Sequence, residues 1–144
     1  MTRKLVLVAA MVLAVGGTAR ADSFDPIQTR QAGQDLVAGT FAGIKAVVTA
    51  NGDVKTLEGA GKAIQKWALV FPTLFPAGSD KGNTKAAPTI WSDSAGFQKA
   101  AMAFSATGEA LATAAKAGDA TAVAAAFKDM GASCGACHKE YRLK

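Results

Sequence analysis

The chain is expected to be all-α, an antiparallel bundle of four helices. Three observations lead there. Apolar residues recur at spacings of three and four through four long segments. Those segments open or close on a capping residue, a proline or a glycine. No stretch keeps the alternation of a strand, and there is no internal repeat, phosphate-binding glycine loop or low-complexity tract.

The first helix is predicted over residues 25–50. Asp25 caps it, Pro26 takes the first helical position, and Asn51-Gly52 stops it. Gln34, Val37, Phe41, Ile44 and Val48 form one stripe along it, and Leu36, Thr40, Gly43 and Val47 a second. Either the second stripe meets a partner chain or one wide face is buried within a monomer.

The second helix is predicted over 53–71, with Asp53 as cap, Val54, Leu57, Gly61, Ile64, Ala68 and Phe71 on one side, and Pro72 as its end. Residues 72–87 hold Pro72, Pro76, Gly78, Gly82 and Asn83 without apolar rhythm, and make the one long connection. The third helix is predicted to run unbroken over 88–117, with Trp91, Phe97, Ala101, Phe104, Gly108 and Leu111 inward and Gly118 closing it. Asp119 caps the fourth, whose inward face carries Val123, Phe127, Met130, Cys134, Cys137, His138 and Tyr141. Gly33, Gly39, Gly43, Gly61 and Gly108 fall inside helices, where each costs about 1 kcal/mol relative to alanine; close packing between helices is the expected reason, and the approach of a flat ring to the backbone the alternative.

Ahead of these helices, residues 1–21 have the form of an export signal. Arg3 and Lys4 precede an apolar run over 5–15, then Gly16-Gly17-Thr18 and Ala19-Arg20-Ala21 offer an A-x-A cleavage site. Eleven apolar residues are too few to cross about 30 Å of hydrocarbon. Cleavage leaves one domain over 22–144 and removes Arg3, Lys4 and Arg20, so the formal charge falls from +5 to +2. That balance argues for neither nucleic acid nor an anionic membrane as partner.

The chemistry is concentrated in Cys134-Gly135-Ala136-Cys137-His138, which holds the only two cysteines and the only histidine. C-x-x-C-H is the attachment signature of c-type haem. Residues three apart share a helix face, so both sulfurs reach neighbouring vinyl groups while the adjacent imidazole turns to the iron. A structural zinc site wants four nitrogen or sulfur ligands and the chain offers three, two of them adjacent. A redox dithiol normally opens a helix after a strand, whereas this pair lies late in an alanine-rich helix. One covalent haem c per chain is therefore expected. Export agrees, since haem c is attached outside the bacterial cytoplasm, and the periplasm is the expected compartment.

Four helices, a long second connection and a haem motif on the last helix resemble the cytochrome c-prime family, the class II c-type cytochromes, over residues 25–144. The likeness is carried by Thr29-Arg30-Gln31-Ala32, Leu74-Phe75-Pro76, Ile90-Trp91-Ser92-Asp93, and the run from Gly131 through Tyr141-Arg142. The resemblance implies Cys134 and Cys137 as thioether anchors and His138 as proximal ligand. It also implies Arg142 beside the proximal haem face and Arg30 near a propionate. Phe104, Met130 and Tyr141 are expected in the pocket, with Val37 and Phe41 beside the iron on helix one.

Members of that family differ at the helix-one residue one turn beyond the arginine. Methionine there implies six-coordinate, low-spin iron, and a bulky apolar residue implies five-coordinate iron. Here it is Gln34, a weak ligand for haem iron. Of the two methionines outside the signal, Met130 sits on the haem-bearing helix and Met102 lies off the main stripe of helix three, so neither is expected to bind iron. The expectation is a predominantly high-spin iron with an accessible face. Gln34 either donates a hydrogen bond to a small ligand there or turns aside and leaves Val37 and Phe41 to cover the metal.

The expected function is periplasmic electron transfer with redox partner proteins, the alternative being a module that binds nitric oxide or carbon monoxide. Catalysis is not expected, because the one histidine is taken by iron and no second imidazole remains as a base. The resemblance also implies a homodimer.

Overall fold

The computed structural model describes residues 24–144; the expected export signal over 1–21 lies outside them. Five helices follow one another: α1 Pro26–Thr49, α2 Glu58–Val70, α3 Thr89–Ser92, α4 Ser94–Ala117 and α5 Ala120–Tyr141. The four long ones make the antiparallel bundle that the apolar spacing predicts. Among the described residues no helix is long and apolar enough to cross a membrane.

Local chemistry explains the boundaries. Asp25 Oδ1 accepts from the amides of Ile27 and Gln28 at 2.8 and 3.2 Å, which satisfies donors that have no partner inside α1. Asp119 Oδ1 accepts from the Ala122 amide at 2.9 Å at the start of α5. Gly118, with φ of 75°, closes α4 in the left-handed region that a side chain would resist.

Two expected helices are subdivided. Asp53 caps a 3-10 turn, Val54–Leu57, before α2 begins, and Pro72 sits inside a second turn, Phe71–Leu74, instead of ending the helix outright. The third expected helix breaks at Asp93, whose backbone leaves helical geometry (φ −127°, ψ 58°). Its side chain accepts from the Gly96 amide at 3.1 Å and starts α4 afresh. The gain of a cap on the long helix offsets the loss of continuity through a polar Ser92-Asp93-Ser94 run.

Along its axis the bundle has two halves. In one, Ile44, Ile64, Leu111, Val123 and Met130 are fully buried and form the aliphatic core with Val54, Leu57 and Ala115. Each large aliphatic side chain contributes about 1.5–3 kcal/mol by leaving water. Gly61 and Gly108 let α2 and α4 approach closely: a Cβ on Gly61 would lie 2.6 Å from the Ala112 nitrogen, and one on Gly108 2.7 Å from the Gln65 nitrogen. Gly39 and Gly43 do not share that role, since a Cβ there would meet nothing within 4 Å. In the other half the starts of α1 and α4 meet the ends of α2 and α5, and the packing opens into a cavity.

Candidate functional site

The cavity has a volume of about 830 Å³, at the upper end of the range for pockets that enclose a small ligand or cofactor. Helix α5 lines it with Cys134, Cys137, His138 and Tyr141, and Arg142, just past its end, does so too. Helix α1 contributes Arg30, Gln34, Val37 and Phe41, and α4 contributes Phe97, Ala101 and Phe104. Trp67, Ala68, Phe71, Phe75 and Ile90 add to the wall, and residues 83–86 border it. Antiparallel packing explains the gathering, because residues over a hundred positions apart in sequence end at the same end of the bundle.

Met130 is the one expected pocket residue that does not line the cavity. It is 0% exposed, inside the aliphatic core, because the α5 stripe passes from core to cavity between Met130 and Cys134. Met102 is 57% exposed and also lies off the wall.

Arg30 is 4% exposed. Its Nη1 donates to the Leu74 carbonyl and Ser79 Oγ at 3.2 and 3.0 Å, and its Nη2 to the Ser79 carbonyl and Thr84 Oγ1, both at 2.8 Å. The guanidinium also lies 4.4 Å from the centre of the Phe75 ring. Burial lowers its pKa, an effect that the charge of Asp25 opposes. Among the described residues it makes no ion pair, so neutral oxygens and a ring face stabilise its charge.

The cavity end of α5 is electrostatically distinct. Burial raises both thiol pKa values, and mutual repulsion raises that of Cys137 further, so both sulfurs stay protonated at neutral pH. Burial, and then the charge of Arg142, lowers the pKa of His138, which favours the neutral imidazole that can bind a metal. Among the described residues no group of three His, Cys, Asp or Glu side chains could hold a metal ion. The set of Cys134, Cys137 and His138 fits a metal that brings most of its ligands with it, as a porphyrin does.

Sequence reasoning missed several wall residues, above all Trp67. Its indole packs against the α1 backbone at Gly33, where any Cβ would collide with the ring. Its Nε1 is buried without a hydrogen-bond partner, which costs about 1–3 kcal/mol unless an acceptor is supplied. Phe71, Phe75 and Phe97 form an aromatic cluster at centroid distances of 4.9–6.0 Å. An aromatic wall, two thiols and an adjacent imidazole together fit a flat apolar macrocycle. The available signal was that Trp67, Phe71 and Phe75 cluster at the end of helix two around Pro72 and Pro76.

The family model described as Cytochrome C' matches residues 25–142. The chain belongs to the cytochrome c' family. Cytochrome c' of Rubrivivax gelatinosus is 33% identical over 123 residues, 83% of this chain and 95% of that protein. The crystal structure of cytochrome c' from Thermochromatium tepidum superposes with a TM-score of 0.76 at 33% identity, covering 83% of this chain and 95% of that one. A nitric oxide complex of a variant of cytochrome c prime from Alcaligenes xylosoxidans gives a TM-score of 0.75 at 34% identity, covering 83% and 94%. Membership in the cytochrome c' family makes this a c-type haem protein concerned with electron transfer or gas binding and not an enzyme. The periplasm is the usual compartment of such cytochromes.

Proposed function

We propose that the protein is a periplasmic electron carrier in which one haem is tethered through Cys134 and Cys137, with His138 as the axial ligand of an otherwise open iron. When bound, the haem supplies the one-electron ferric/ferrous couple and a coordination position for a small ligand. The remaining work belongs to the chain. Phe71, Phe75, Phe97 and Phe104 exclude water, and Arg142 places positive charge near His138.

The observation that carries this reading is the composition of the cavity wall. It contains no methionine, and Gln34 takes the wall position on α1 beside Val37 and Phe41. Neither a thioether nor a second imidazole is therefore among the lining residues. Optical and magnetic spectra of the purified protein test the proposal: a high-spin ferric spectrum is expected. A low-spin spectrum with a methionine-to-iron charge-transfer band overturns it, and intact mass without a covalent haem overturns the tether.

A second reading, binding of nitric oxide or carbon monoxide, is favoured by the same open wall and by the nitric oxide complex of the Alcaligenes xylosoxidans relative. A ferrous spectrum that changes with stoichiometric nitric oxide supports it, and an unchanged one excludes it. Two copies are expected to associate through α1 and α2. The exposed Leu36, Leu69 and Val70, at 74%, 57% and 51%, support this pairing, and sedimentation as monomer alone at micromolar concentration rejects it.

A further inference from the structure

Between α1 and the end of α5 runs a short segment bonded at both ends. Toward α1, Arg30 holds Ser79 and Thr84, and Gln31 Nε2 donates to the Asn83 carbonyl at 2.8 Å. Toward α5, the Ala87 amide donates to the Tyr141 carbonyl at 3.1 Å, and the Leu143 amide to the Lys85 carbonyl at 2.8 Å. Ala86 and Arg142 form an antiparallel bridge between these bonds. Residues 83–86 also line the cavity, so the segment crosses its edge.

The two anchors are close along the chain. From Thr84 to Ala87 an extended backbone spans at most about 10 Å. The gap between α1 and the last turn of α5 therefore cannot widen unless one anchor breaks. That last turn includes the bond from the Arg142 amide to the His138 carbonyl, at 3.2 Å.

We propose that residues 79–87 are a strap coupling α1 to the His138 end of α5, and that Arg30 is the positioning residue that fixes the strap. Arg30 suits the task because its planar fork bonds Ser79 and Thr84 together, which a single-point donor cannot do. The charge is retained in a buried place because its partners on the strap are oriented around it. A disturbance at Arg30 travels through Thr84, Ala86 and Ala87 to Tyr141 and Arg142, and thence to the turn carrying the imidazole. The link to His138 as iron ligand rests on the haem reading above; the mechanical coupling does not.

Amide hydrogen exchange on the haem-loaded protein tests the strap, with Arg30→Gln as the first variant. The amides of Ala87 and Leu143, at the far anchor, are expected to exchange about tenfold faster while that of Leu111 in the core is unchanged. Ser79→Ala, which removes one acceptor of Arg30 and, besides it, only the hydroxyl's bond to the Pro76 carbonyl, is expected to act in the same direction more weakly, and it serves alone should Arg30→Gln not fold. Resonance Raman of the ferrous forms is expected to show a shifted iron–histidine stretch. Unchanged exchange at Ala87 and Leu143, equal acceleration everywhere, or faster exchange with an unmoved stretch overturns the proposal. A mass without covalent haem would sink the haem reading instead, and exchange alone would then decide the strap.

Discussion

The Tyr141 hydroxyl donates to Asp93 Oδ2 at 2.9 Å, while Asp93 Oδ1 caps α4 by accepting from the Gly96 amide. One carboxylate thus starts one helix and holds the end of another, three residues after His138. The bond to Asp93, then burial and the nearby negative charges, raise the pKa of the Tyr141 phenol above its usual value of 10.0. A raised folded-state pKa stabilises the fold while the phenol keeps its proton, and that contribution is lost as pH climbs through the raised value. Tyr141→Phe is therefore expected to melt below wild type at pH 7, with the gap closing above pH 10. Melting temperatures across pH 7–12 check this; a constant gap refutes it.

Gly61→Ala and Gly108→Ala should each destabilise the protein by about 1–3 kcal/mol or more, because the added methyl meets backbone atoms that cannot move aside. Gly39→Ala, on an open face of α1, should instead stabilise by about 0.5–1 kcal/mol. Urea denaturation of the three variants measures the contrast in sign.

Trp67→Phe keeps an aromatic ring and removes the orphan donor. The variant is expected to be at least as stable as wild type by urea denaturation, since a buried donor without an acceptor is removed. A loss of more than about 1 kcal/mol would mean that the indole nitrogen finds an acceptor.

Gln34→Met places a thioether on the cavity wall and is expected to convert the spectrum to six-coordinate, low-spin iron. Gln34→Leu should leave the spin state alone and speed dissociation of a bound diatomic about fivefold, the worth of one hydrogen bond of about 1 kcal/mol. Absorption spectra and laser photolysis separate the two effects; identical dissociation in Gln34→Leu means that the amide points elsewhere.

Much of the bundle was legible because caps and apolar spacing act over a few residues. Asp25, Asp53, Gly118 and Asp119 mark boundaries that depend on their own neighbours alone. The break at Asp93 was missed because the pattern of Trp91, Phe97 and Ala101 carries the apolar face across it. The polar Ser92-Asp93-Ser94 run, with Gly96 supplying the capped amide, was the available signal. Gly33 was assigned to helix packing or to the approach of a flat ring without its partner being named, since nothing local to α1 announces the Trp67 ring.

Taken alone, the sequence determined the four long helices, their order, and the grouping of Cys134, Cys137 and His138 on one turn of the last, because helical periodicity and C-x-x-C-H spacing are short-range properties. Only the tertiary structure decided that Met130 belongs to the core, that Arg30 grips Ser79 and Thr84, and that Trp67 holds a buried donor without a partner. Those outcomes depend on which helix ends meet, and a side chain's burial and hydrogen-bond partners are set by elements far away in the chain.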